Sequence, residues 1–161
     1  MRKLYVKDEV CIACHLCEVY CQLHHAPGKD LVKVFKGESR TPLPRVRVEE
    51  NGPVSLSVRC QHCEDAQCLY ACLTGAISRD PNNGQIKVDE EKCIGCWTCM
   101  LVCSFGAIKK DEEQEKTIRC NLCEGEDIPA CVANCPNEAL ICLDDENTSS
   151  KDDPDAVTFT K

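Results

Sequence analysis

The sequence predicts an α+β fold of short helices and β-hairpins. Three observations predict it. Seventeen of 161 residues are cysteine, and sixteen of them recur in four spaced groups. Between the groups lie alternating apolar stretches broken by turn residues, the pattern of hairpins. Aromatic content is only 4%, so large rings do not fill the interior as they would in an ordinary core of this size.

The groups are one motif repeated. Cys11, Cys14, Cys17 and Cys21 read C-x2-C-x2-C-x3-C, and Cys93, Cys96, Cys99 and Cys103 repeat that spacing. Cys60, Cys63, Cys68 and Cys72 read C-x2-C-x4-C-x3-C, and Cys120, Cys123, Cys131 and Cys135 read C-x2-C-x7-C-x3-C. Only the gap before the third cysteine varies, as a loop that accepts insertions would. The constant last step places two thiols one helical turn apart.

The flanks repeat as well. LYVKDEVCIAC (4–14) and IKVDEEKCIGC (86–96) each lead a strand-like run into a cysteine loop. An alanine follows the fourth cysteine by four positions in CLTGA, CSFGA and CPNEA, and a strand-like stretch comes next: AISRD, AIKKD, ALICLD. Hairpins are expected at SRDPNNGQIKVD, turning at Asn83-Gly84, at IKKDEEQEKTIRC over an acidic turn, and at RVRVEENGPVSLSVRC, turning at Asn51-Gly52-Pro53. The first group departs from this plan. Cys21 is followed by QLHHAPGKD, with neither Gly-Ala nor an immediate strand, and PGKDLVKVFKGESRTPLP reads as a loop rich in Lys and Arg.

Composition excludes several classes. The net charge of −8 argues against nucleic acid. No run approaches the roughly 18 apolar residues of a membrane span. MRKLYVKDEV holds no apolar signal stretch, and the cysteine count is odd, so a secreted disulfide scaffold is not expected. The thiols are expected to be reduced, ligating and cytoplasmic. Acidic residues gather in DEEQE (111–115) and in a tail from 144 to 161, read as a solvated turn and a frayed end.

The motif spacing points to iron and sulfur. C-x2-C-x2-C wraps three thiolates around one face of a compact object. Zinc more often takes two C-x2-C knuckles separated by a longer loop. In the bacterial C-x2-C-x2-C-x3-C run, the fourth cysteine ligates the other cluster of a pair. The sixteen motif cysteines are therefore expected to hold four [4Fe–4S] clusters, with zinc as the alternative. Such metal would supply much of the folding free energy, and the apo-chain is expected to be largely unfolded.

Through these motifs the chain, over residues 1 to about 143, resembles the ferredoxin-like electron-transfer subunits that carry four [4Fe–4S] clusters. That family includes iron–sulfur subunits of CO dehydrogenase, formate dehydrogenase, hydrogenase and dimethyl sulfoxide reductase type. The resemblance implies two interleaved bacterial-ferredoxin-like modules of two clusters each in a single compact domain. The inner module spans about 58–110, and the outer about 1–25 plus 111–143. A basic loop and hairpin at about 26–59 is inserted between them. It implies that Cys60, Cys63 and Cys68 share a cluster with Cys103, and Cys93, Cys96 and Cys99 with Cys72. Likewise Cys11, Cys14 and Cys17 share one with Cys135, and Cys120, Cys123 and Cys131 with Cys21. The family's proline after the fourth cysteine survives only as Pro136.

Other residues have expected roles. Cys142, the odd thiol, is read as a small core residue on the Leu140 face. His15, His24, His25 and His62 are expected beside ligands or at the surface. Trp97 is expected to shield a cluster from water. Arg40, Arg45, Arg47 and Arg59 are read as a solvated face, with an acidic partner as the alternative. No nucleophile–base pair, phosphate loop or flavin fingerprint appears. The expected function is low-potential one-electron relay to or from a redox enzyme, of CO dehydrogenase, aldehyde oxidoreductase, hydrogenase or formate dehydrogenase type. The alternative is a structural or regulatory metal protein without electron relay.

Overall fold

A computed structural model describes residues 2–37 and 40–143, so the acidic tail from 144 lies outside the described residues. Eight strands form four separate two-stranded antiparallel sheets, and no larger sheet exists among the described residues. The three expected hairpins form. β2 (Val46–Asn51) pairs with β3 (Val54–Arg59), β4 (Ile77–Arg79) with β5 (Ile86–Val88), and β6 (Lys109–Asp111) with β7 (Lys116–Ile118). The fourth sheet joins the ends of the chain, β1 (Lys3–Val6) with β8 (Leu140–Leu143), from Lys3 opposite Leu143 to Val6 opposite Leu140.

Five helices carry the cysteines or brace them: α1 (Leu16–His25), α2 (Leu31–Phe35), α3 (Gln67–Tyr70), α4 (Thr98–Leu101) and α5 (Ala130–Ala133). Three of these are single turns. In α1, α3, α4 and α5 the third cysteine of a motif is the second helical residue: Cys17, Cys68, Cys99 and Cys131. Helix α2 corrects the expectation of an unbroken loop there. The Asp30 carboxylate caps it, accepting from the Lys33 N–H at 3.0 Å, a short-range signal that charge counting hides.

Two small cores form around the thiols. One gathers Leu4, Val6, Val46, Leu122 and Leu140 around Cys17, Cys21, Cys120 and Cys131, with Cys142 packed against it. The other gathers Ala66, Ile77, Ile86 and Ile108 around Cys99. Helix α1 packs on α5, and α3 on α4.

The inserted hairpin is tied into the body at both ends. Glu18 of α1 accepts from the Val48 N–H at 2.7 Å, and the Ser55 hydroxyl donates to the Cys11 carbonyl at 2.7 Å. Arg47 Nη1 donates to the Gly106 carbonyl at 3.0 Å, and Lys109 Nζ to the Val46 carbonyl at 3.1 Å.

The expectation of a solvated arginine face therefore fails at Arg59. Arg59 is 1% exposed and donates to the Leu4 carbonyl. Arg40 pairs with Asp111 and Glu113, and Arg47 with Glu49. Strand alternation sends Arg59 inward with Ser55 and Ser57, a face that reads as polar in sequence and is buried in the fold.

Candidate metal centre

Each motif loop bends in the same way. The residue just before the second cysteine takes a left-handed backbone in all four: Ala13 (φ 51°), His62 (φ 49°), Gly95 (φ 69°) and Leu122 (φ 53°). A non-glycine residue there costs roughly 1–2 kcal/mol. Such strain persists where the surroundings over-determine it, commonly at binding sites. The bend turns neighbouring amides toward sulfur, and the Leu122 N–H donates to Cys120 Sγ at 3.4 Å.

The Gly-Ala repeat has the same purpose. Gly75, Gly106 and Glu138, three residues past the fourth cysteine, are all left-handed (φ 65°, 55° and 52°). The turn brings the next amide back onto the thiol. The Ala107 N–H donates to Cys103 Sγ at 3.4 Å and the Ala139 N–H to Cys135 Sγ at 3.2 Å. At Cys72, slight burial pushes the thiol up, but the Ile77, Thr74 and Ala76 amides outweigh it and hold it below its ordinary value. Cys21 lacks the turn because α1 runs on to His25. Its donor is the Arg45 N–H at 3.2 Å, delivered by the inserted segment.

The thiols come together across the chain. An open cavity of about 390 Å³, mouth included, is lined by Cys11, Cys14, Cys17 and Cys135. A second, of about 300 Å³, is lined by Cys72, Cys93, Cys96 and Cys99, with Trp97 in its wall. Two further groupings show in mutual repulsion. Cys131 is raised by burial and then by Cys120, Cys21 and Cys123. Cys63 is raised by burial, with Cys68 and Cys103 adding to it, and Cys68 likewise adds to Cys60. Among the described residues, no three His, Cys, Asp or Glu side chains converge where one metal ion could sit. In the two cavities the thiols surround a space.

Burial pushes the Cys17 thiol up to about 12 and Cys21, Cys60 and Cys120 to about 11. Unaided, these sulfurs are neutral at pH 7, and a bound cation is what makes them thiolates. The donor set fits an iron–sulfur group. Thiols dominate, and backbone N–H groups already point at several of them. Unpartnered buried polar atoms sit in the walls: Ser57 Oγ in the first cavity and Trp97 Nε1 in the second.

The histidines have other partners. Burial drives His62 down to about 4, and its Nδ1 accepts from the Ile86 N–H at 3.0 Å. His25 Nδ1 donates to the Cys21 carbonyl at 2.8 Å, and its Nε2 faces the Asn121 side chain at 3.2 Å. His15 is exposed beside Glu18 and Glu50, and His24 lies near Glu126. Lys110 rides 4.0 Å above the Trp97 ring centroid, clamping that wall.

Sequence reading missed Arg119 and placed Arg59 on the surface. Arg59 and Arg119 immediately precede Cys60 and Cys120, and both are buried. The repeated Arg-Cys step was the available signal. No described helix is long and apolar enough to cross a membrane.

Known proteins share this design. The family described as "4Fe-4S dicluster domain" matches residues 54–145. Putative electron transport protein YsaA of Escherichia coli K12 is 38% identical over 150 positions, covering 91% of this chain and 92% of its own. Electron transport protein HydN of the same strain is 37% identical over 161 positions, covering 89% of each. The thiosulfate reductase electron transfer subunit PhsB of Salmonella typhi is 36% identical over 144 positions, covering 83% and 70%. The chain belongs to the 4Fe-4S dicluster family of ferredoxin-like electron-transfer proteins.

Proposed function

We propose that the chain carries four [4Fe–4S] clusters and relays single low-potential electrons between a redox enzyme and an acceptor. The holding residues are Cys11, Cys14, Cys17 with Cys135; Cys120, Cys123, Cys131 with Cys21; Cys60, Cys63, Cys68 with Cys103; and Cys93, Cys96, Cys99 with Cys72. The observation that carries the reading is the crossing of motifs. Three thiols from the first motif share a cavity with Cys135 of the last, and three from the third share one with Cys72 of the second. That exchange is how two bacterial-ferredoxin-like modules interleave.

The module boundaries follow the same logic. Pairing of β1 with β8 and packing of α1 on α5 support an outer module of about 1–25 plus 111–143. Packing of α3 on α4 supports an inner module of about 58–110. The segment at about 26–59 bridges them.

Bound clusters supply one-electron redox chemistry. The chain's own part is to hold the thiols, aim amides at sulfur and keep water from the buried sites. The partner is a redox enzyme of CO dehydrogenase, aldehyde oxidoreductase, hydrogenase or formate dehydrogenase type, in the reducing cytoplasm that open thiols require. Relatives named as electron transport proteins and as a reductase's electron transfer subunit support the relay role.

Anaerobic purification with iron and sulfide analysis, followed by dithionite titration, tests this. Four reversibly reducible centres are expected, and Cys135→Ser should remove roughly a quarter of the iron. Zinc in place of iron, or metal that accepts no electrons, overturns the reading. Co-purification under anaerobic conditions identifies the enzyme partner.

A further inference from the structure

Arg59 ends β3 and Arg119 follows β7, each immediately before the first cysteine of its motif. Val10 and Lys92 hold the same place in the other two motifs. The two arginines are 1% and 5% exposed. Each reaches toward the other's motif. Arg119 Nη1 donates to Cys68 Sγ at 3.5 Å and its charge acts on Cys60, while the charge of Arg59 acts on Cys120 and Cys131.

Their remaining hydrogens are unused. Among the described residues, Arg59 Nε and Nη1 and Arg119 Nε and Nη2 have no hydrogen-bond partner. A buried guanidinium that lacks both an anion and acceptors is strongly disfavoured. Both side chains lie beside thiols, so a sulfur-rich group held at those sites would supply the missing acceptor. At the other two sites the described positive charge is that of Arg119 on Cys99 and of Lys116 on Cys93. No Lys or Arg lines either cavity, and Glu18 adds negative charge beside Cys17. Lys110 is engaged over the Trp97 ring and Lys116 on the Cys93 carbonyl.

We propose that Arg59 and Arg119 are tuning residues for two of the four sites. Their free N–H groups donate to sulfur at the Cys60/Cys63/Cys68/Cys103 and Cys21/Cys120/Cys123/Cys131 sites, and their charge raises the reduction potentials there above those of the remaining two. The inference rests on the four-site reading. One-electron reduction adds one negative charge at a site. The guanidinium keeps its proton, and no bond forms or breaks. A fixed positive charge stabilises the more negative state more than the less negative one, and hydrogen bonds to sulfur act in the same sense. Electrons entering the chain would therefore rest on the pair of sites between the arginines.

The test is an EPR-monitored dithionite titration of the full-length, iron-loaded protein. Arg59→Met and Arg119→Met are each expected to lower the potentials of the sites that they face by about tenfold in the one-electron equilibrium, about 59 mV. Arg119 also faces Cys99, so its variant shifts the Cys72/Cys93/Cys96/Cys99 site by a smaller amount. Arg59→Lys and Arg119→Lys should recover part of each shift through charge alone. Four potentials unchanged, or four moved alike, overturn the assignment while leaving the four-site reading intact. A wild-type protein with fewer than four reducible centres overturns the four-site reading itself, and the assignment with it. Where the Met variants fail to hold iron, wild-type protein labelled with guanidino-15N arginine decides. Hyperfine coupling of 15N to the reduced centres is expected, and its absence overturns the hydrogen bonds.

Discussion

Cys21 and Cys135 occupy the same place in their motifs and reach their amide donors by different routes. Behind Cys135 the chain turns sharply at Glu138 and returns the Ala139 N–H to sulfur four residues on. Behind Cys21 helix α1 continues to His25, and the donor arrives from Arg45, 24 residues away. Both donors lie 3.2 Å from sulfur. The local chain is free to vary as long as an amide reaches the thiol. The inserted segment is thus part of the site, and its hydrogen bonds to Cys11 and Glu18 hold it there.

The largest expected effect erases the difference between the two ends. Four two-stranded sheets and three single-turn helices have little stability of their own, since isolated hairpins and short helices are marginal in water. Removing iron with a chelator should therefore unfold both regions together, with loss of amide dispersion in the NMR spectrum. A dispersed apo spectrum at either end would show that the region folds without its metal.

The first and third motifs differ at the same bend. Ala13 and Gly95 hold equivalent left-handed positions, yet only one of them tolerates a methyl group. A Cβ on Gly95 would overlap the Glu115 carbonyl oxygen, in the turn between β6 and β7. Gly95→Ala should destabilise the holo-protein by about 2–4 kcal/mol, joining backbone strain to overpacking. Ala13→Gly should be neutral or mildly stabilising. Chemical denaturation of the two variants checks the contrast.

The donors themselves can be removed singly. An α-hydroxy acid in place of residue 45 or residue 139 deletes one N–H and leaves the side chain. Each should cost about 1.5–3 kcal/mol, the range for hydrogen bonds to charged groups, read from the denaturation midpoint of the iron-loaded protein. Equal losses mean that Arg45 does for Cys21 what Ala139 does for Cys135. A silent change at residue 45 would break the equivalence.

Much of this was legible in the residues. The four motifs, the three hairpins and the strand after each Gly-Ala step follow from period-2 alternation and turn chemistry, which act over a few residues. The crossing of motifs could be named only through a family resemblance, because spacing does not say which distant thiol closes a cavity. The left-handed bends at Ala13, His62 and Leu122 carry no glycine to announce them. Helix α2 hid among the lysines at 29, 33 and 36. Arg59 misled because charge normally marks surface, and here the inward face of β3 takes it among thiols.

The smallest effect tests the turn that Cys21 lacks. Gly75 and Gly106 relieve the left-handed position behind Cys72 and Cys103, but Glu138 holds it behind Cys135 at φ 52°. A side chain there carries a penalty that glycine does not. Glu138→Gly should therefore stabilise the holo-protein by about 1 kcal/mol. Unfolded-chain entropy opposes part of the gain. Gly106→Glu should lose a similar amount or more, because the new Cβ would also meet Arg47 Nη2 at 3.3 Å and press on its bond to the Gly106 carbonyl. If both changes are measured in the same denaturant series and Glu138→Gly destabilises, the Glu138 side chain contributes a contact that outweighs its backbone strain. The turn behind Cys135 would then differ in kind from the turns behind Cys72 and Cys103.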